Sequence, residues 1–197
     1  MSKDLVCVHE LESHKKIKPK ILDLISDYEQ INPSSDQVTK TDFYDDTRPN
    51  QNPNYFPILE QNAEPLWKAI CEKYWVKEFT TSGCWFQQYI SKDWHGWHLH
   101  GNANVSMIYL LELPERKFST EFVDIERNTT FQLDVEEGDV IIFPSYVIHR
   151  SPMITDSNVR KTSIAINLNL SSINVEMINR IYPNYLSKGD YYERRFW

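Results

Sequence analysis

A mainly β core with flanking helices is the fold class this sequence predicts, and three observations carry that expectation. After Phe79 the chain breaks into short strand-like runs bounded by turn formers: TTSGCWFQQYI, NVSMIYLLEL, KFSTEFVDI, TTFQLDV, DVIIFP and TSIAINLNL. Aromatic residues reach 13% of the chain and recur beside Val and Ile, as in strands packed around a closed core. Helical periodicity is confined to segments before and after that region. A sandwich, a barrel or a jelly roll would accommodate such a series of strands.

Each element has its own justification. Across residues 15–31 the apolar Ile17, Ile21, Leu22, Leu24, Ile25 and Tyr28 fall mostly at helical spacing between acids and lysines, which predicts an amphipathic helix packed on a sheet. Residues 32–57 cluster Asn, Asp, Pro and Ser, and read as a long loop with a functional part to play. In EPLWKAICEKYWV, residues 64–76, Leu66, Ile70 and Tyr74 recur every fourth position and Pro65 suits a first helical turn. A last amphipathic segment over 171–186 is predicted to end at Pro183, followed by the aromatic, basic tail SKGDYYERRFW, suited to docking on the core or on a partner. With 197 residues the expectation is one domain: helical support at about 15–77, a strand core at about 79–170, and a C-terminal helix and tail at 171–197.

Composition excludes several function classes. Lys and Arg total 21 against 28 Asp and Glu, a net charge of −7, so no long-range positive field gathers nucleic acid or anionic lipid. Apolar runs such as VIIF fall far short of the roughly 20 residues of a membrane helix, and the N-terminus lacks a basic flank before an apolar segment. Cys7, Cys71 and Cys84 are odd in number and form no Cys-x-x-Cys pair, which argues against disulfides and thiolate zinc and fits a reducing cytoplasm. The five glycines show no phosphate-loop or dinucleotide spacing, and there is no internal repeat. A homo-oligomer is compatible with all of this.

The chemistry concentrates in six histidines. Three crowd into DWHGWHLHGN as His95, His98 and His100, and His149 follows the apolar run GDVIIFPSYVIH. In an extended strand residues two apart share a face, so His98 and His100 can present two imidazoles to one point, with Trp97 and Leu99 opposite. A third imidazole from His149 on a neighbouring strand would close a facial metal set with positions left open for water or substrate. His95, three before His98, falls on the other face of a regular strand and reads as a supporting or surface residue. His9 and His14 lie in a polar stretch and read as solvent-exposed. Trp94 and Trp97 either wall a substrate entrance or pack, packing being the better expectation for Trp97.

The runs HLHGNANVSMIYLLELP, GDVIIFPSYVIHRSP and RKTSIAINLNL together resemble the non-haem iron, 2-oxoglutarate-dependent oxygenases, in particular the bacterial and phage-associated branch near the prolyl hydroxylases. The resemblance covers about residues 85–170. It implies a double-stranded β-helix, the jelly roll of antiparallel strands with helices against one sheet, and Fe(II) held by His98, His100 and His149. His100 stands where the superfamily commonly has a carboxylate, so the third ligand is either His100 or a nearby acid. A neutral imidazole there would raise the charge of the site and alter iron affinity and potential. For the far carboxylate of 2-oxoglutarate the branch pattern selects Lys161, with Ser163 and Asn167 on the same strand face; Arg160 competes, its planar fork suiting a carboxylate. Tyr89, nine before His98, matches a tyrosine that hydrogen-bonds the cosubstrate in prolyl hydroxylases, or else packs in the core.

The activity implied is oxidative decarboxylation of 2-oxoglutarate, with O2, to succinate and CO2, coupled to hydroxylation of a C–H bond in a small-molecule or peptide substrate such as a prolyl or other amino-acid residue. Three other readings share these residues. A cupin would want Glu a few positions after the histidine pair, where this chain has Asn102, Ala103 and Asn104. A tri-histidine zinc enzyme would need neither reductant nor cosubstrate. A metal-free jelly-roll module would bind its partner through the aromatic surface.

Overall fold

The protein is described by a computed structural model covering residues 5–28, 38–45 and 52–181. Its strands form two antiparallel sheets. The larger has the order β1 (Cys7–Glu10), β8 (Asp139–Pro144), β5 (Val105–Glu112), β10 (Lys161–Ile173), β3 (Val76–Tyr89) and β2 (Lys40–Thr41). The smaller runs β4 (His95–His98), β9 (His149–Ser151), β6 (Glu121–Asp124) and β7 (Thr129–Gln132). Helices α1 (His14–Ser26), α2 (Phe56–Asn62) and α3 (Glu64–Tyr74) precede most of the strands, and α4 (Val175–Ile181) follows them. The predicted jelly roll with helices against one sheet is the observed architecture. Among the described residues no helix is long and apolar enough to cross a membrane.

Two apolar clusters explain the layering. Ile17, Ile21 and Ile25 of α1 and Leu66 and Ile70 of α3 pack with Met107, Tyr109, Ile142, Ile164 and Ile166 on the outer face of the larger sheet. Ile108, Leu110, Ile141, Phe143 and Ala165 face the other way and pack with Phe122 and Val147 between the sheets. Consecutive residues of β5, β8 and β10 therefore serve opposite layers, which is why these strands read as continuous apolar runs.

The boundaries differ from expectation in several places. The first helix ends at Ser26, and most of its predicted last turn falls outside the described residues. The expected loop at 32–57 contributes β2 and the start of α2, whose Pro57 fits an early helical position. The expected strand at 117–125 begins instead with a short 3-10 turn, Arg116–Phe118. The predicted stop at Pro183 and the aromatic tail lie outside the described residues.

His14 is a correction. It is 9% exposed, its Nδ1 shares a 2.7 Å hydrogen bond with the Tyr109 hydroxyl, and its Nε2 lies 3.3 Å from a Glu137 carboxylate oxygen. The reason is phase: His14 stands three residues before Ile17, on the helical stripe that meets the sheet. His9 sits half-buried at the edge in β1. The His14 ring closes over Gly138, whose φ is +100° and where a Cβ would lie 2.9 Å from His14 Cγ. Gly138→Ala is therefore expected to lower stability by about 1–3 kcal/mol in urea unfolding, combining a left-handed backbone with a clash against a buried ring.

Candidate metal centre and adjoining cleft

The inner face of the larger sheet is where polar residues interrupt the apolar pattern. On β10, Lys161, Ser163 and Asn167 alternate with Thr162, Ile164 and Ile166, and Lys161 pairs with Tyr89, Ser163 with Gln87 and Asn167 with Ser106 across the neighbouring strands. Opposite them the smaller sheet contributes β4 and β9, where His98 is the direct cross-strand partner of His149. His100 follows β4 in a turn anchored by its backbone N–H on the Ser145 carbonyl, 2.9 Å away.

These placements bring His98, His100 and His149 together, with one ligand nitrogen from each within 4.8 Å of the others. Each Nδ1 meets an oxygen. His98 Nδ1 donates to the Gly96 carbonyl at 2.8 Å, His149 Nδ1 to the Val147 carbonyl at 2.9 Å, and His100 Nδ1 to Asn167 Oδ1 at 2.7 Å. Carbonyl oxygens only accept, so each Nδ1 carries the hydrogen and each Nε2 keeps a lone pair, the tautomer that binds a metal ion. Ser106 Oγ also donates to Asn167 Oδ1 at 2.8 Å and lies 2.8 Å from Ser145 Oγ, which locks the amide that orients His100.

His149 is 2% exposed, and its Nε2 is buried without a hydrogen-bond partner. Such an atom loses its water without compensation unless something electrophilic occupies the space before it. Burial first, then the neighbouring His98, push the His149 pKa down to about 2, and burial likewise lowers that of His100. Among the described residues no carboxylate joins this cluster, so of the two candidates for a third ligand it is His100 that stands with the other histidines. Neutral imidazoles at this spacing fit a divalent iron, zinc or nickel ion.

The strand face expected of His95 is a second correction. His95 pairs with Ser151 and His98 with His149, so three steps along β4 match two along β9, and the extra residue makes a bulge. The bulge turns His95 to the same side as His98, and their rings stack at 4.1 Å with an 11° tilt. Gln87 Nε2 donates to His95 Nδ1 at 3.0 Å. Trp97 is a third: it is 41% exposed instead of packed, and the Arg150 guanidinium lies 4.4 Å from its ring centroid while pairing with Glu121 at 2.6 Å. Trp94 is also partly exposed.

The structure separates the two basic candidates. Arg160 points outward and forms a bidentate pair with Glu112 at 2.7 and 2.8 Å. Lys161 is 1% exposed; its Nζ donates to Ser151 Oγ at 2.7 Å and lies 5.1 Å from the Tyr89 ring centroid. Burial lowers the Lys161 pKa to about 7. Lys161, Tyr89, Ser163, Ser151 and Thr120 line a narrow cavity of about 20 Å³ that also touches the three histidines. On the other side of the histidines a cleft of about 580 Å³ opens to the surface between β3, β4 and the Thr41–Asp45 segment. Ser151 and Gln87 were not singled out from the sequence. Each lies two residues from a recognised position, His149 and Tyr89, so strand alternation was the available signal.

No protein-family model and no curated protein sequence matches this chain. Solved structures match at the level of fold. A prolyl-4-hydroxylase from Pseudomonas putida is 12% identical with a TM-score of 0.57, over 85% of this chain and 94% of that one. A 2OG-Fe(II) oxygenase family oxidoreductase from Burkholderia pseudomallei is 11% identical with a TM-score of 0.62, over 87% and 88%. HygX from Streptomyces hygroscopicus, with nickel and 2-oxoglutarate bound, is 11% identical with a TM-score of 0.59, over 84% and 82%. The chain thus has the jelly-roll fold found in 2-oxoglutarate oxygenases.

The histidine geometry makes a stability prediction. A folded-state pKa held below the unfolded value stabilises the neutral form, so that contribution is complete above about pH 6.5 and is lost as pH falls. Metal-free protein is expected to lose stability below that point, at about 1.4 kcal/mol per pH unit from His149 alone. Urea unfolding from about pH 7.5 down to about pH 5 should show a shallower loss in His149→Gln than in the parent.

Proposed function

We propose that this chain is a 2-oxoglutarate-dependent dioxygenase acting as one catalytic unit, with Fe(II) held by His98, His100 and His149. The observation that carries the reading is the common tautomer of the three histidines: every Nδ1 hydrogen is committed to an oxygen, and His149 Nε2 is buried with nothing to bond. Bound iron would supply the Lewis-acid and redox chemistry for the overall reaction of substrate C–H, O2 and 2-oxoglutarate to give alcohol, succinate and CO2.

The remaining work falls to the chain's own residues. Three neutral imidazoles add no negative charge, so a divalent ion there stays electrostatically hungry for an anionic ligand. Lys161, bonded to Ser151 Oγ in a cavity that Thr120 and Ser163 also line, offers a cation to a carboxylate reaching into the inner cavity. That cavity has room for about one water, so a five-carbon diacid reaching from the histidines to Lys161 requires its lining to open or to borrow volume from the cleft. Asn167 fixes His100 and the backbone carbonyls of Gly96 and Val147 fix the other rings, so the ligand geometry is set before any ligand arrives. Tyr89 supports Lys161 from below. The outer cleft, which holds the exposed edges of His98 and His100, is where a substrate would sit. A prolyl or other amino-acid residue is one candidate, by analogy with the Pseudomonas enzyme.

Anaerobic addition of Fe(II) and then 2-oxoglutarate to metal-free protein is expected to give the visible charge-transfer band of a chelated keto acid. His98→Ala should abolish it, and Lys161→Ala should weaken cosubstrate binding roughly tenfold to a hundredfold, the value of a charge-assisted pair. Tight Zn(II) or Fe(II) binding with no band would point to a zinc enzyme or a cupin-like protein instead. Because the Lys161 ammonium is lost as pH rises through about 7 in the free protein, cosubstrate affinity should fall by up to about tenfold per pH unit above that value. Lys161→Arg, which keeps its charge, should flatten that dependence in the same titration.

A further inference from the structure

The cleft outside the histidines has a chemistry of its own. One wall is aromatic: Phe43 is 51% exposed, lies edge-on to Trp85 at 5.0 Å and to Tyr44 at 4.9 Å, and all three rings line the space. The rest of the lining is largely polar and almost entirely uncharged. Gln87, 9% exposed, lines the cleft and uses its amide nitrogen on His95. Asn167 receives two hydrogen bonds at Oδ1, from His100 and Ser106, which leaves its NH2 as a donor. Ser82 Oγ is buried against the cleft with no hydrogen-bond partner, and Asn102 stands exposed at the rim.

We infer that this cleft binds a neutral, polyhydroxylated ring compound, a sugar or glycoside unit, with Phe43 and Trp85 stacked on its C–H face and Gln87, Asn167, Ser82 and Asn102 bonded to its hydroxyls. The inference deepens the proposed oxygenase reading, since it names what would be presented to the histidines. Three features together select this chemistry. No described lining residue is a lysine or arginine and the one carboxylate there is Asp45, so away from the histidine centre itself nucleotides, sugar phosphates and fatty acids find no counter-charge. A purely apolar ligand would leave the Ser82 hydroxyl without a partner, at the cost of a buried unpaired polar group. A ligand that carries donors and acceptors on its edge and polarised C–H bonds on its face satisfies both the aromatic and the polar parts of the lining, because an aromatic face is the negative part of the ring's quadrupole. The volume of about 580 Å³ lies within the ordinary range for small-ligand pockets.

The probes are methyl glucoside, methyl galactoside and methyl mannoside, titrated into the full-length metal-free chain and followed by tryptophan fluorescence and ligand-observed NMR. Saturable binding of at least one is expected, weakened about fivefold or more by Phe43→Ala and by Asn102→Ala, two exposed positions whose truncation leaves the core intact. Absence of saturable binding, binding indifferent to both substitutions, or selective binding of a prolyl peptide or a methylated amine in place of the glycosides would overturn the inference. The charge-transfer titration separates the two readings. A band without glycoside binding removes only the sugar, and glycoside binding without a band keeps the cleft's ligand while removing the oxygenase.

Discussion

Strand β10 must satisfy two incompatible surroundings at once, and the rest of the molecule is arranged around that requirement. Ile164, Ile166 and Leu168 are sealed against α1 and α3, while Lys161, Ser163 and Asn167 on the intervening positions face the space between the sheets. A pleated strand can serve both because its side chains alternate, but a slip of one residue would drive an ammonium into the helical layer and leave isoleucines at the site. The register with β3 and β5 is therefore as much a part of the site as the histidines are. The irregularity between Asn167 and Leu168 falls where the strand passes from the site to its outer end.

Polar groups inside a sandwich are tolerable only when each has its partner. Ser106, Ser145 and Asn167 form a closed set that ends on His100, and Lys161 leans on Ser151 and the Tyr89 ring. Against this background the unpaired His149 Nε2 and Ser82 Oγ stand out. Both border a space that a ligand can fill, one at the histidine cluster and one in the outer cleft. At these two positions a ligand could restore the bond that burial has removed.

The far side of the larger sheet shows the opposite use of a histidine. His14 meets Tyr109 and Glu137, with Lys18 also on that carboxylate, and the ring rests on Gly138 at the start of β8. Its tautomer is not forced by carbonyl acceptors, its neighbours are side chains, and no second histidine converges on it. Burial alone therefore does not distinguish a ligand from a structural residue; the identity of the Nδ1 partner does.

The residues that determine the fold and the centre were visible in the sequence because they act through local periodicity. Alternation anticipated the strands, and Lys161, Ser163 and Asn167 share a strand face without reference to anything distant, whereas His100 lies past the end of β4 and is held by Ser145 and Asn167. What depends on pairing between remote segments was not legible. The bulge that brings His95 beside His98 exists only because β4 meets β9 with one residue to spare. That Arg160 turns outward depended on Glu112 being across from β10 to take its guanidinium. The burial of His14 needed the sheet beneath its helix, and the exposure of Trp97 needed Arg150 on the neighbouring strand. Periodicity is a property of the chain, whereas register, bulges and the partner across a strand are properties of two chain segments brought together, and only the tertiary structure decides them.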